Sequence, residues 1–179
     1  MQKINMLLIG GWEKNAGKTT LTTRLIKELK STGFDKIICA KVTVLRDFDG
    51  KKEPEIWEEY NPDREKDTGR MLKAGAHKVF WLKTDEEHVE QGLTELLSRV
   101  PDDAFLICES NILRKYAEPL LFIMVKRDNP LGMKKSAEKV KNYVDLMVTS
   151  ALTQEGLKYD PDAGEISGKI SDIWQRRNL

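Results

Sequence analysis

The stretch GGWEKNAGKTT, Gly10–Thr20, governs the interpretation of the rest of the chain. It follows an apolar run, Ile4–Ile9, that is typical of a buried strand. It leads into KTTLTTRLIKELK, Lys18–Lys30, in which apolar side chains recur near one helical face. The sequence therefore predicts a strand, a glycine-rich loop and a helix in direct succession.

A glycine-rich loop between a strand and a helix is typical of P-loops, which bind nucleotide phosphates. Glycine lets the backbone approach phosphate oxygens, and the amides at a helix start attract negative charge. We expect Lys18 to reach the β- and γ-phosphates, Thr19 to offer its hydroxyl to Mg²⁺, and Thr20 to contact the α-phosphate. The predicted nucleotide-binding residues are Gly11, Asn15, Ala16, Gly17, Lys18, Thr19 and Thr20, with Lys18 also catalytic.

The spacing of this loop differs from the standard pattern, in which four residues separate the first glycine from Gly-Lys. Here five residues lie between Gly11 and Gly17, and Trp12 stands where the standard pattern has glycine. The order of strand, loop and helix still matches a P-loop.

Short apolar runs alternate with amphipathic stretches along the whole chain. Strands that are apolar throughout, separated by helices, indicate a mostly parallel sheet covered on both faces. We therefore expect one domain over residues 1–179, an α/β three-layer sandwich of the P-loop NTPase type. The predicted strands are Ile4–Ile9, Lys36–Val44, Lys78–Leu82, Ala104–Cys108, Leu120–Val125 and Asp145–Thr149, which ends the series. The predicted helices are Lys18–Lys30, Glu65–Ala74, Glu86–Val100, Lys134–Asn142 and Gly168–Arg177.

Composition excludes several classes of partner. The chain has 30 Lys and Arg against 29 Asp and Glu, so it lacks the basic excess of a nucleic-acid binder. The apolar N-terminal run is too short to span a membrane.

Cys39 and Cys108 lie inside apolar runs, where we expect buried, unreactive thiols and hence a reducing cytoplasm.

Two features resemble known families. The five-residue spacer before Gly-Lys-Thr resembles that of dethiobiotin synthetases. The run KDTGRMLKAGAHKVF, residues 66–80, resembles a segment of MobB-type molybdopterin-guanine dinucleotide biosynthesis proteins, and the order of elements is similar over roughly residues 4–150.

The resemblance implies roles for three further residues. Asp67 would approach the metal or its waters, and Glu109 would end the strand that faces the metal, both also acting in catalysis. Lys41 would lie at the end of the second strand and face phosphate or substrate. Mg²⁺ takes only one or two carboxylates besides phosphate, so Thr19, Asp67 and Glu109 suffice as a metal site.

Other interpretations of these residues stay open. Asp67 could be an ordinary first-turn helix acid, and Lys41 a lysine whose stem alone is buried. Asp47 and Asp49 form an alternative metal pair. They belong to a polar connection, Arg46–Arg64. Its length indicates either a mobile lid that closes over the nucleotide or a surface insertion.

The function we expect is binding of ATP or GTP with Mg²⁺ and slow hydrolysis. The resemblance implies an adaptor in molybdenum cofactor or related cofactor biosynthesis, with a biosynthetic enzyme as partner and a homodimer as one arrangement. One alternative is an ATP-dependent ligase or kinase acting on a small cofactor precursor. Another is a binding module that nucleotide switches without significant turnover.

Overall fold

The computed structural model describes residues 2–45 and 53–178. In this part of the chain, one eight-stranded sheet carries helices and short 3-10 turns. The strands are β1 Gln2–Gly11, β2 Ile37–Leu45, β3 Glu55–Glu58, β4 Lys78–Asp85, β5 Phe105–Glu109, β6 Ala117–Arg127, β7 Leu146–Thr153 and β8 Gly156–Asp160. The helices are α1 Lys18–Ser31, α2 Asp67–Lys73, α3 Val89–Ser98, α4 Lys135–Glu138 and α5 Ala163–Asn178, with 3-10 turns at Ile112–Lys115 and Lys141–Tyr143.

The sheet is mostly parallel, which confirms the predicted α/β class. Its strand order is β3-β4-β2-β5-β1-β6-β7-β8. The outer strands β3 and β8 are antiparallel to their neighbours, and all other pairs are parallel. The strand β1 lies inside the sheet between β5 and β6, so the residues that follow β1 emerge near the middle of one edge.

Two hydrophobic cores lie on opposite faces of the sheet. Successive residues of β1 point to opposite faces, so Leu7 joins one core and Leu8 the other. The first core packs the sheet against α1, α2 and α5, and the second packs it against α3, α4 and the turn Ile112–Lys115. Burial on both faces explains why the inner strands are apolar throughout.

The helix α1 is held by an apolar stripe. Leu21, Leu25, Ile26 and Leu29 recur at helical spacing, and all four are fully buried. This packing fixes the start of α1 at the same edge of the sheet as the end of β1. No helix in the described ranges is long and apolar enough to cross a membrane.

Several predicted boundaries are wrong. The strand series does not end at Thr149, because β7 continues to Thr153 and turns at Gly156 into β8. The connection Arg46–Arg64 contains the edge strand β3, which pairs with β4. The predicted helix Lys134–Asn142 is reduced to four residues and a 3-10 turn, and α5 begins at Ala163 rather than Gly168.

Candidate functional site

The segment that leads from the end of β1 to α1, residues 10–17 with the last two residues of β1 included, is called here the glycine-rich loop. It turns through two positive backbone angles, φ +58° at Asn15 and φ +93° at Gly17. Gly17 directly precedes α1, where no described side chain caps the helix and no acidic residue lies in the first turn. The first amides of α1 are therefore left to another acceptor, and the helix dipole favours an anion there.

A side chain at Gly11 or Gly17 would crowd this loop, and Gly17 also has a positive φ. A Cβ on Gly11 would lie 3.1 Å from Lys18 Nζ, so the lysine side chain runs back along the loop. A Cβ on Gly17 would lie 2.9 Å from the Tyr159 hydroxyl, in addition to the strain of its positive φ. The Lys18 ammonium is thus placed beside the loop backbone.

Hydrogen bonds from distant parts of the chain fix the loop. The Gly11 amide donates to Asn111 Oδ1 at 2.7 Å, and Asn111 Nδ2 donates back to the Gly11 carbonyl at 3.0 Å. Ser150 Oγ donates to the Ala16 carbonyl at 2.8 Å, and the Tyr159 hydroxyl donates to the Gly17 carbonyl at 2.7 Å. None of these anchoring side chains was predicted from sequence.

Glu109, the last residue of β5, is a buried acid beside the start of α1. It is only 4% exposed and accepts hydrogen bonds from Thr19 Oγ1 at 3.0 Å and Thr22 Oγ1 at 2.7 Å. Burial raises the pKa of Glu109, and the Asp67 charge adds to this, whereas the Lys18 charge and the two hydroxyls lower it. The net result is a pKa above the usual range, so the ionised form is poorly compensated without a further cation.

Asp67 begins α2 and forms an ion pair with Lys41. Burial alone would raise the pKa of Asp67, but the hydrogen bond and charge of Lys41, with Thr19 and Lys18 also contributing, bring it below the usual range. Lys41 lies opposite Glu109 in the register of β2 and β5. It is the fifth of nine residues in β2, so the prediction that it ends the strand is wrong.

The structure thus brings the predicted residues to one edge of the sheet. Thr19 contacts Glu109, and it also lies close enough to Asp67 to affect that pKa. Thr20 Oγ1 accepts a hydrogen bond from Arg70 Nη2 at 2.9 Å, a contact that the sequence did not indicate. The alternative metal pair, Asp47 and Asp49, lies outside the described residues.

A cavity of about 260 Å³ opens over the loop and the first turn of α1. Its polar lining combines backbone and hydroxyl groups with charges of both signs, which suits a polyanion accompanied by a cation. The described residues contain no group of three or more His, Cys, Asp or Glu that could hold a metal by itself. The lining residues are Asn15, Ala16, Gly17, Lys18, Thr19, Thr20, Asp67, Arg70 and Leu157.

Comparison with known proteins adds no relative. No family model, curated protein or solved structure matches this chain.

Proposed function

We propose that this chain is a P-loop NTPase, a three-layer α/β sandwich that binds ATP or GTP with Mg²⁺ and hydrolyses the triphosphate slowly. The observation that carries the proposal is the contact between Thr19, at the start of α1, and the buried Glu109, beside a loop with Lys18 against its backbone. Cationic, hydroxyl and carboxylate groups then converge where a helix begins.

Phosphate binding would use the glycine-rich loop and the first turn of α1. The uncapped amides supply positive potential, and Lys18 adds a full charge within reach of the same cavity. Arg70 lines that cavity from α2 and would contact the phosphates through the position it holds beside Thr20. Hydrogen bonds from the Asn111, Ser150 and Tyr159 side chains fix the loop backbone, which would lower the cost of ordering it when a nucleotide binds.

The residues present fit Mg²⁺. The Thr19 hydroxyl and the Glu109 carboxylate are hard oxygen donors 3.0 Å apart, and Asp67 lies close by. A site with so few protein carboxylates suits Mg²⁺, which keeps several waters and shares phosphate oxygens. When bound, the ion would neutralise negative charge on the phosphates. It would also offset the cost of burying ionised Glu109.

Catalysis would rest on positioning and electrostatics. Lys18 stabilises charge that develops on the transferred phosphoryl group, and an acidic side chain, Asp67 or Glu109, orders the attacking water. We expect slow turnover, since no described residue beyond these acids stands out as a base.

The pathway part of the proposal rests on residues 66–80, whose pattern resembles MobB-type proteins. It implies an adaptor in molybdenum cofactor or related cofactor biosynthesis. The free, buried Cys39 and Cys108 fit a reducing cytoplasm. A second candidate function, a kinase or ligase acting on a small precursor, is favoured by a further cavity of about 320 Å³ that Lys18 also lines.

Direct titration of the wild-type chain with ATP and GTP, each with and without Mg²⁺, tests the proposal. We expect at least one nucleotide to bind in the micromolar range, more tightly with Mg²⁺, and phosphate to be released slowly. Phosphate release that rises on adding a precursor would favour the kinase or ligase. Binding of neither nucleotide under any condition would contradict the proposal.

A further inference from the structure

A groove leads away from the nucleotide cavity along the carboxyl edge of the sheet. Its first part, about 320 Å³, adjoins Lys18, and its second part, about 390 Å³, adjoins α4. The two parts share Val44, Ile112, Lys134 and Ser136, so they adjoin one another and are together called here the lysine groove. Its size falls in the range of small-molecule sites.

The second part of the lysine groove is separate from the nucleotide cavity. The cavity over the glycine-rich loop shares Lys18 and Asp67 with the first part of the groove, which Glu109 also lines, and it shares no lining residue with the second part. A nucleotide in the loop cavity, with Mg²⁺ at Glu109 and Asp67, would therefore leave the second part of the groove free for another molecule.

The charges in the groove are unbalanced toward positive. Asp67 is paired with Lys41, and Glu86 with Lys139 at 3.0 Å, while Glu109 is held by threonine hydroxyls. By contrast, Lys134 at the junction makes no ion pair within 4.0 Å with any residue the structure describes, and the same holds for Lys135.

Lys134 is the more informative of these two lysines. It is half-buried, and burial lowers its pKa, as do the charges of Lys18 and Lys14, against a raising effect from Glu13. A half-buried ammonium repelled by a neighbouring lysine is stabilised by any anion that enters. The groove also has an apolar component, since Val42, Val44, Leu45 and Ile112 line it.

We infer that the lysine groove binds a second small molecule, which carries a phosphate or carboxylate group on an apolar or ring-shaped body, with the anionic group at Lys134. This inference rests on the proposed nucleotide-binding function, because the molecule would lie beside the bound nucleotide. It defines the chemical class of an acceptor or effector for that site.

The test uses the full chain saturated with Mg²⁺ and a non-hydrolysable ATP or GTP analogue, so that the loop cavity is filled. Phenyl phosphate and benzoate are titrated separately, which distinguishes a phosphate from a carboxylate ligand, and benzyl alcohol serves as the uncharged probe. We expect one of the two anions to bind at a single site without displacing the nucleotide, and benzyl alcohol not to bind.

The variants Lys134→Met and Lys169→Met give a matched comparison, because Lys169 is an exposed lysine on α5, against the opposite face of the sheet. Lys134→Met should weaken binding of the anion at least tenfold and leave nucleotide affinity within about threefold, whereas Lys169→Met should change neither. Equal anion affinity in the two variants, displacement of the nucleotide, or no anion binding would overturn the inference alone. Failure of the nucleotide analogue to bind would instead overturn the proposed function, and the inference with it.

Discussion

At the scale of single residues, Glu109 is the most informative side chain. An ionised carboxylate that is 4% exposed is costly unless hydrogen bonds or cations compensate for the lost water. Thr19 and Thr22 supply two hydrogen bonds, yet the pKa remains raised. This shortfall is consistent with the proposal that Glu109 helps to hold a cation.

The change Glu109→Gln tests this role through pH. Because the pKa of Glu109 is higher in the folded than in the unfolded protein, its ionised form destabilises the ligand-free fold, and this destabilisation is lost as the pH falls through the folded pKa. The ligand-free variant should therefore be more stable than wild type at about pH 8, with a smaller difference at about pH 5. Urea unfolding at both pH values measures this difference in unfolding free energy between the variant and wild type.

The same variant should lose Mg²⁺-dependent nucleotide affinity by roughly 10- to 100-fold. Glu28→Gln, at an exposed position on α1, is the control and should change neither property. A wild-type protein that is more stable than the Glu109 variant at about pH 8 would argue against the electrostatic account of this residue.

Local sequence was enough to predict the loop and its lysine, but it could not predict the loop's anchors. The pattern from Gly11 to Thr19 is contiguous, and its glycines, Lys18 and Thr19 match the residue types of a P-loop. Asn111 and Ser150 contact the loop across separations of 100 and 134 residues, so no local pattern indicates them. Only the sheet, once folded, brings them to the loop.

At the scale of elements, the inner strands were predictable and the edge strands were not. Burial on both faces makes β1 and β5 continuous apolar runs, a strong signal. The edge strands β3 and β8 contain only four and five residues, and both mix polar with apolar side chains, so neither forms a continuous apolar run. The connection Arg46–Arg64 was therefore interpreted as one long loop, whereas part of it is the strand β3. Its proposed lid role falls partly on residues that the structure does not describe.

The strand β8 nevertheless matters for the site, because it carries Tyr159 to the Gly17 carbonyl at 2.7 Å. Tyr159→Phe keeps the ring and removes this hydrogen bond, which should cost about 1 kcal/mol of unfolding free energy. The looser loop should also bind nucleotide less tightly, by several-fold.

Tyr143→Phe is the matched control, since Tyr143 is exposed on the 3-10 turn Lys141–Tyr143. Urea unfolding and nucleotide titration of both variants compare the two positions. Equal unfolding free energies and equal nucleotide affinities in the two variants would mean that β8 does not support the loop.

At the scale of the whole molecule, one sheet with a core on each face positions the site. The helix α1 belongs to the first core and starts at the glycine-rich loop, so the packing of its apolar stripe sets where Lys18 and Thr19 lie. Stability and site geometry are therefore coupled through α1.

Leu25→Ala should show how much of the stability this packing supplies. Leu25 is fully buried, so removing its side chain should cost about 2–5 kcal/mol through lost contacts and a cavity. Leu152, which is 82% exposed on β7, is the control, and Leu152→Ala should stay within about 0.5 kcal/mol of wild type. Urea unfolding measures both, and a small loss for Leu25→Ala would mean that α1 does not pack as described.

The central claim, that the glycine-rich loop and Lys18 hold nucleotide phosphates, is tested most directly by comparing Lys18→Ala with Lys14→Ala. Lys14 lies in the loop itself and Lys18 directly after it, so each change removes one lysine charge; only Lys18 lines the cavity, whereas Lys14 is exposed outside it. Titration with Mg²⁺ and ATP or GTP should show that Lys18→Ala binds nucleotide roughly 10- to 100-fold more weakly, because the variant loses one charged contact worth about 1.5–3 kcal/mol. Lys14→Ala should bind as wild type does. If both variants fold and Lys18→Ala binds nucleotide with the same affinity as Lys14→Ala, the account is contradicted.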